Sequence, residues 1–169
     1  MELLIFSDSH GRSLQMYDAL CRQIKRPDAI CFLGDGLRDT EVLDGEGIPL
    51  HTVRGNCDWS SFFGDEKSER FLFLEGHKLL LTHGHLHDVK SGLGRLAAYA
   101  AQNGVDIVLY GHTHRADTLC VPKGQEIGGV TLQSPLYLFN PGSIGAGADA
   151  SFGTLMLSGD NVLFSHGSI

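Results

Sequence analysis

Six of the nine histidines in this 169-residue chain crowd into three short stretches: His10, then His83, His85 and His87, then His112 and His114. Asp8, Asp35 and Asn56 stand in comparable Gly- and Ser-rich settings. Together they offer carboxylate oxygen (Asp8, Asp35), amide oxygen (Asn56) and imidazole nitrogen (His10, His83, His112, His114). That mixture, free of thiolates, suits Mn, Fe, Zn, Co or Ni better than Ca or Mg. Two ions need about seven protein ligands when one carboxylate bridges them, and the inventory meets that demand. A pair of divalent metal ions about 3.5–4 Å apart would polarise phosphoryl oxygens and lower the pKa of a shared water. The resulting bridging hydroxide would attack phosphorus in line, so the protein need not supply a nucleophile of its own.

Each of these groups follows a short apolar run. Leu3-Leu4-Ile5-Phe6 leads into Asp8 and His10, and Ala29-Ile30-Cys31-Phe32-Leu33 into Gly34-Asp35. A run ending at Val53 leads into Gly55-Asn56-Cys57-Asp58, Lys78-Leu79-Leu80-Leu81 into His83 and His85, and Ile107-Val108-Leu109-Tyr110 into His112 and His114. Runs of this length between Gly and polar residues predict buried strands. Ligands of open α/β sheets bind beyond the carboxyl ends of strands, where these donors fall. A helix is predicted with Leu14, Tyr17, Leu20, Cys21 and Ile24 on its apolar face and Pro27 at its stop. A second carries Leu93, Leu96, Ala97, Ala100 and Ala101, closed by Asn103-Gly104. After residue 115 the pattern turns to strands with Gly-rich turns, at 117–121, 127–133, 136–139, 152–157 and 161–166. The fold class expected is α/β (α+β): a four-layer α/β/β/α sandwich of two mixed β-sheets flanked by helices, in a single domain over 1–169.

Thirteen Lys and Arg against 20 Asp and Glu leave a net charge of −7. That balance speaks against binding nucleic-acid backbones, where affinity comes from neutralising phosphates. It leaves a phosphate-processing site in need of positive charge, which bound cations would supply. The start of the chain lacks a basic segment and its apolar run is too short for a signal peptide; no stretch is long enough to span a bilayer. The four cysteines form no CxxC pair, so reduced thiols in a cytoplasmic protein are expected, with Cys21, Cys31 and Cys120 buried. Whether the chain forms a homo-oligomer is left open.

Asp8-x-His10, Gly34-Asp35, Gly55-Asn56-x-Asp58, Thr82-His83-Gly84-His85 and Gly111-His112-Thr113-His114 resemble, in order, the signature blocks of the calcineurin-like metallophosphoesterase family. Asn140-Pro141-Gly142-Ser143 resembles a further turn of its small bacterial and archaeal phosphodiesterase branch. The resemblance implies a dinuclear-metal phosphoric ester hydrolase, most simply a phosphodiesterase, acting on a small phosphoester substrate. It implies that Asp8, His10, Asp35 and His114 hold one metal and that Asp35, Asn56, His83 and His112 hold the other, with Asp35 bridging. Manganese leads the candidates, ahead of Fe, Ni, Co and Zn. His85 would stand beside the second metal or touch the phosphate, so catalysis rests on Asp35, Asn56 and His85.

Two positions depart from the family pattern. Many members carry His after the Asn of the third block, where it can protonate the leaving group; Cys57 stands here, as is common in the small branch. A thiol is a poor general acid, so esters with good leaving groups are the expected substrates. The larger phosphatases place an Asp four residues after the glycine of the second block; Arg38 stands here, with Asp39 next. Cys57 and Arg38 are therefore the candidate substrate or phosphate contacts, although Cys57 reads equally as a small apolar residue. Trp59, Phe62 and Phe63 read as core, His87 as a surface residue, and 142–153 as a turn and loop.

A metal-binding scaffold like the retromer subunit of the same fold is the main alternative. The complete ligand set, including both His10 and His114, favours an enzyme, with a phosphomonoesterase as the variant reading. Asp8 and Asp35 would repel one another without metal, so Asp35→Asn is expected to leave the metal-free fold unharmed.

Overall fold

The computed structural model describes residues 1–59 and 66–169. One sheet has the order β12–β11–β1–β2–β3, with β1 (Glu2–Phe6), β2 (Ala29–Phe32), β3 (Leu50–Thr52), β11 (Ser151–Ser158) and β12 (Asn161–Ser168). Its β1, β2 and β3 are parallel, while β11 is antiparallel to β1 and to β12. The second sheet has the order β4–β5–β6–β10–β7, with β4 (Glu69–Leu74), β5 (His77–Thr82), β6 (Ile107–Leu109), β7 (Ala116–Val121) and β10 (Leu136–Pro141). There β5, β6 and β10 are parallel and the edge strands β4 and β7 antiparallel.

Side chains alternate across a strand, so a strand buried on both faces feeds two cores. Leu3 and Ile5 of β1 meet Leu79, Leu81, Ile107 and Leu109 of β5 and β6 in the layer between the sheets. Leu4 and Phe6 point the other way, onto Met16, Ala19 and Leu20 of helix α1 (Ser13–Cys21). On the second sheet Leu80, Val108 and Leu138 pack against Leu96, Ala97, Ala100 and Ala101 of helix α2 (Gly94–Gln102). This is the four-layer sandwich of two mixed sheets. Among the described residues no helix is long and apolar enough to cross a membrane.

Several local expectations fail for physical reasons. Helix α1 buries Met16, Ala19 and Leu20, while Leu14 is 74 % exposed and Ile24, beyond the helix end, wholly exposed. Two overlapping i, i+3 stripes exist in that segment, and the one carrying the small Ala19 faces the sheet. Strand β4 has no forecast: Leu72 and Leu74 pack inward, but Phe71 and Phe73 on its other face are exposed, so its apolar run hides a one-sided edge strand. The run 127–133 is a short hairpin, β8 (Glu126–Ile127) and β9 (Val130–Thr131), because Gly128 and Gly129 turn with positive φ between them. Strand β10 lies parallel to β6, so the second half is less purely antiparallel than expected. Cys31 alone of the four free cysteines is buried; Cys21, Cys57 and Cys120 are exposed. Trp59 is 74 % exposed, outside the core, and Phe62 and Phe63 lie outside the described residues.

Candidate metal centre

The carboxyl ends of β1, β2, β3, β5 and β6 gather at one rim of the sandwich, where the backbone bends sharply. Among the described residues seven non-glycine residues have positive φ, and five of them are Asp8, His10, Asp35, His112 and His114. Left-handed backbone disfavours residues with a Cβ, and such strain collects at functional sites. It lets each strand end turn its next side chain into the cleft. Close backbone approach completes the turns: a Cβ on Gly55 would sit 2.1 Å from Asp35 Oδ1, and one on Gly111 1.9 Å from Ser7 Oγ.

The side chains converge as two imidazole pairs around two carboxylates. His10 Nε2 lies 3.3 Å from His114 Nε2, and His83 Nε2 lies 3.1 Å from His112 Nδ1. Asp8 Oδ2 accepts hydrogen bonds from Ser7 Oγ and from the His112 backbone N–H. Its Oδ1 is buried without a hydrogen-bond partner among the described residues and faces the Nε2 atoms of His114 at 3.1 Å, His10 at 3.8 Å and His83 at 3.9 Å. Asp35 Oδ1 accepts from the Cys57 N–H at 2.7 Å, while Oδ2 lies 3.3 Å from His83 Nε2. Three sets of ligand atoms each fall within 4.8 Å of one another: Asp8, His10 and His114; Asp35, His83 and His112; and His10, Asp35 and Cys57. The third set joins the other two, sharing His10 with the first and Asp35 with the second. A buried, unpartnered carboxylate oxygen amid converging imidazoles fits a divalent cation by donor chemistry.

The surrounding residues fix these orientations. His83 Nδ1 donates to Leu33 O at 2.7 Å, reaching from the second sheet to the first and leaving Nε2 for the cleft. Asp58 has no assigned role in the sequence reading, yet its buried carboxylate accepts four backbone N–H groups. Oδ1 takes those of Gly36 and Leu37 and Oδ2 those of Asp35 and Gly55, at 2.8–2.9 Å, tying the Asp35 turn to the Asn56 turn. The signal was present: Asp three residues after a Gly is a turn-forming residue. Asp39 Oδ2 accepts from Ser9 Oγ and Gly11 N, bracing the His10 loop. Asn140 donates from Nδ2 to Gly111 O and Thr113 Oγ1, and Ser143 donates to Asp8 O, so the Asn140–Ser143 turn buttresses both histidine loops and Asp8.

Asn56 lies exposed at the mouth with Nδ2 3.3 Å from Cys57 Sγ, and no described residue bonds its amide oxygen. His85 stands beside the inner pair, its ring 5.5 Å from that of His83, with a buried Nδ1 that has no partner among the described residues. A cavity of about 260 Å³ opens there between Arg54, Asn56, Trp59 and His85. Arg38 is exposed on the 3-10 turn Leu37–Leu43, outside the three ligand sets. His87 binds Glu69, apart from the cleft.

Electrostatics follow from these contacts. Burial alone would raise the Asp35 carboxyl, but the hydrogen bond and charge of His83 and the Cys57 N–H hold it well below the usual carboxylate range. Its charge is therefore favourable even without metal, contrary to the expectation built on repulsion from Asp8. Burial works against a His83 cation, yet the Asp35 hydrogen bond and the charges of Asp8 and Asp35 win and raise it. Burial, then the charges of His83 and Lys90, push His112 down to about 4. Burial, then the Asp35 hydrogen bond and nearby carboxylate charges, push the Cys57 thiol up to about 11.

Comparisons with known proteins place the chain in a family. The model of the calcineurin-like phosphoesterase superfamily domain matches residues 1–167. The probable metallophosphoesterase YsnB of Bacillus subtilis is 36 % identical over 144 residues, covering 85 % of this chain and 75 % of that protein. The phosphodiesterase YfcE of Escherichia coli is 32 % identical, covering 92 % of this chain and 87 % of its own length. Among solved structures, a predicted phosphoesterase from Streptococcus pneumoniae superposes with a TM-score of 0.71 at 25 % identity, over 98 % of this chain and 87 % of that one. Vps29 of Entamoeba histolytica, solved with zinc, shares the fold with a TM-score of 0.71 at 24 % identity and 98 % coverage of both chains. Over residues 1–167, then, the chain belongs to the calcineurin-like phosphoesterase superfamily, and its relatives include a probable metallophosphoesterase and a phosphodiesterase.

Proposed function

We propose that this protein is a phosphodiesterase working with two divalent cations, manganese foremost. Asp8, His10, Asp35 and His114 would hold one, and Asp35, Asn56, His83 and His112 the other. The observation that carries this reading is one continuous cluster, in which a set containing His10 and Asp35 links the Asp8–His10–His114 set to the Asp35–His83–His112 set. Bound there, the cations would polarise the phosphoryl oxygens and acidify the water that attacks phosphorus in line. The protein's own part is to hold the geometry. Asp58 and Ser7 orient the carboxylates, and Leu33 O fixes the His83 tautomer. His85, which lines the cavity beside Arg54 and Asn56, would supply a phosphate contact. Cys57 keeps its proton in the metal-free protein, its thiol pushed up to about 11 by burial and then the Asp35 hydrogen bond, and a thiol protonates an alkoxide less well than an imidazolium. Diesters with leaving groups stable as anions are thus the natural test substrates.

The experiment pairs metal content with turnover of bis-p-nitrophenyl phosphate, using Mn, Ni, Co, Zn and Mg, in the parent and in Asp35→Asn. Loss of metal together with a drop of orders of magnitude in rate is expected. A variant that loses metal and keeps the parental rate would place the activity elsewhere. A parent inert with all five metals, on this diester and on p-nitrophenyl phosphate, would favour a binding scaffold.

A further inference from the structure

A cavity of about 630 Å³ lies on the second-sheet side of the rim, lined by Val89, Leu93 and Tyr110 and by Lys90, Thr113, Arg115 and Asp117. Thr113 sits between His112 and His114, so the cavity shares a wall with the candidate metal centre. That wall is rigid: Thr113 Oγ1 accepts hydrogen bonds from Asn140 Nδ2 at 3.1 Å and from Arg115 N at 3.3 Å. Tyr110 is buried, and its hydroxyl donates to Asp117 Oδ2 at 3.4 Å, drawing that carboxylate to the Tyr110 side. Lys90 and Arg115 make no ion pair among the described residues. In a chain of net charge −7, the cavity lining is net positive, one carboxylate against two cations.

We infer that this cavity is a substrate subsite for a second phosphate group, so that the diesters preferred by the enzyme carry a phosphate monoester besides the bond that is cut. Val89, Leu93 and Tyr110 give the apolar floor on which the connecting part of the substrate rests. Lys90 and Arg115 meet the terminal phosphate at the open side, where a charge-assisted contact needs no buried cation. The inference rests on the proposed phosphodiesterase activity and specifies its substrate class.

A matched pair of esters tests it: thymidine 5′-(p-nitrophenyl phosphate) with and without a 3′-phosphate. The scissile bond and leaving group are the same, so the ratio of kcat/KM for the two esters isolates the second phosphate. The parent is expected to favour the 3′-phosphorylated ester about tenfold, through a lower KM, and the preference should fade at high salt. Lys90→Gln and Arg115→Gln, both surface changes, should each cut that ratio about threefold or more. A parental ratio near one overturns the subsite, as does a high ratio that both variants retain. Failure of the parent to cleave either ester, with any of the five metals, refutes the phosphodiesterase reading itself and the subsite with it.

Discussion

Removing the Asp58 carboxylate is the most informative perturbation of the rim. Four N–H groups end on it, and the bonds from Asp35, Leu37 and Gly55 are buried. A buried donor left without an acceptor costs about 1–3 kcal/mol, and water entering the space of a lost side chain recovers part of that. Asp58→Ala should therefore destabilise the metal-free protein by about 3–5 kcal/mol. With a urea m-value of about 2 kcal/mol/M, the midpoint should fall by about 2 M. Asp58→Asn is the sharper variant because it preserves shape. Each Asp58 oxygen accepts two N–H groups, so whichever way the new amide is turned, its nitrogen faces two donors. The expected cost is about 2–4 kcal/mol, close to that of alanine. The tie between the Asp35 and Asn56 turns would also be weakened, and Mn affinity by calorimetry should fall at least about tenfold, as for residues that orient ligands. Asp58→Asn within about 0.5 kcal/mol of the parent, or with unchanged Mn affinity, would refute the reasoning.

Cys57→His should raise turnover of alkyl diesters by about ten- to hundredfold relative to bis-p-nitrophenyl phosphate, since an imidazolium can protonate the alkoxide; equal relative rates would mean another residue is the acid. In metal-free protein, nitrogen NMR should find His112 losing its proton near pH 4 and His83 keeping its own above the ordinary 6.5. Because His83 must then give up a proton to bind a cation, metal affinity should rise with pH through and beyond that value. A reversed titration order would contradict the described contacts.

The donors were legible because they follow apolar runs: a strand's length is read from hydrophobicity, and what it presents at its end is simply the next residues. Strand order was not, since β10 beside β6 is a contact between segments about 30 residues apart that no local pattern encodes. Asp58 was visible as part of a turn, but its four bonds depend on the Asp35 loop arriving from another strand. The Lys90–Arg115 cavity was illegible for the same reason, two ordinary surface cations made neighbours by the rim. Helix α1 was misread because periodicity offered two stripes, and only the sheet beneath it chooses between them.

Candidate ligands come from both sheets: Asp8, His10, Asp35 and Asn56 follow strands of one, and His83, His112 and His114 strands of the other. The layer between the sheets is apolar, and because hydrophobic burial is non-directional, a shifted packing would lose side-chain fit while keeping much of its buried area. Coordination is directional and tolerates errors of only about 0.2 Å. A slip of one sheet past the other by a single residue, about 3.3 Å, would leave the sandwich greasy and compact but unable to close around a cation. Metal uptake would therefore distinguish the native assembly of the two sheets from collapsed near-misses that light scattering or circular dichroism would count as folded.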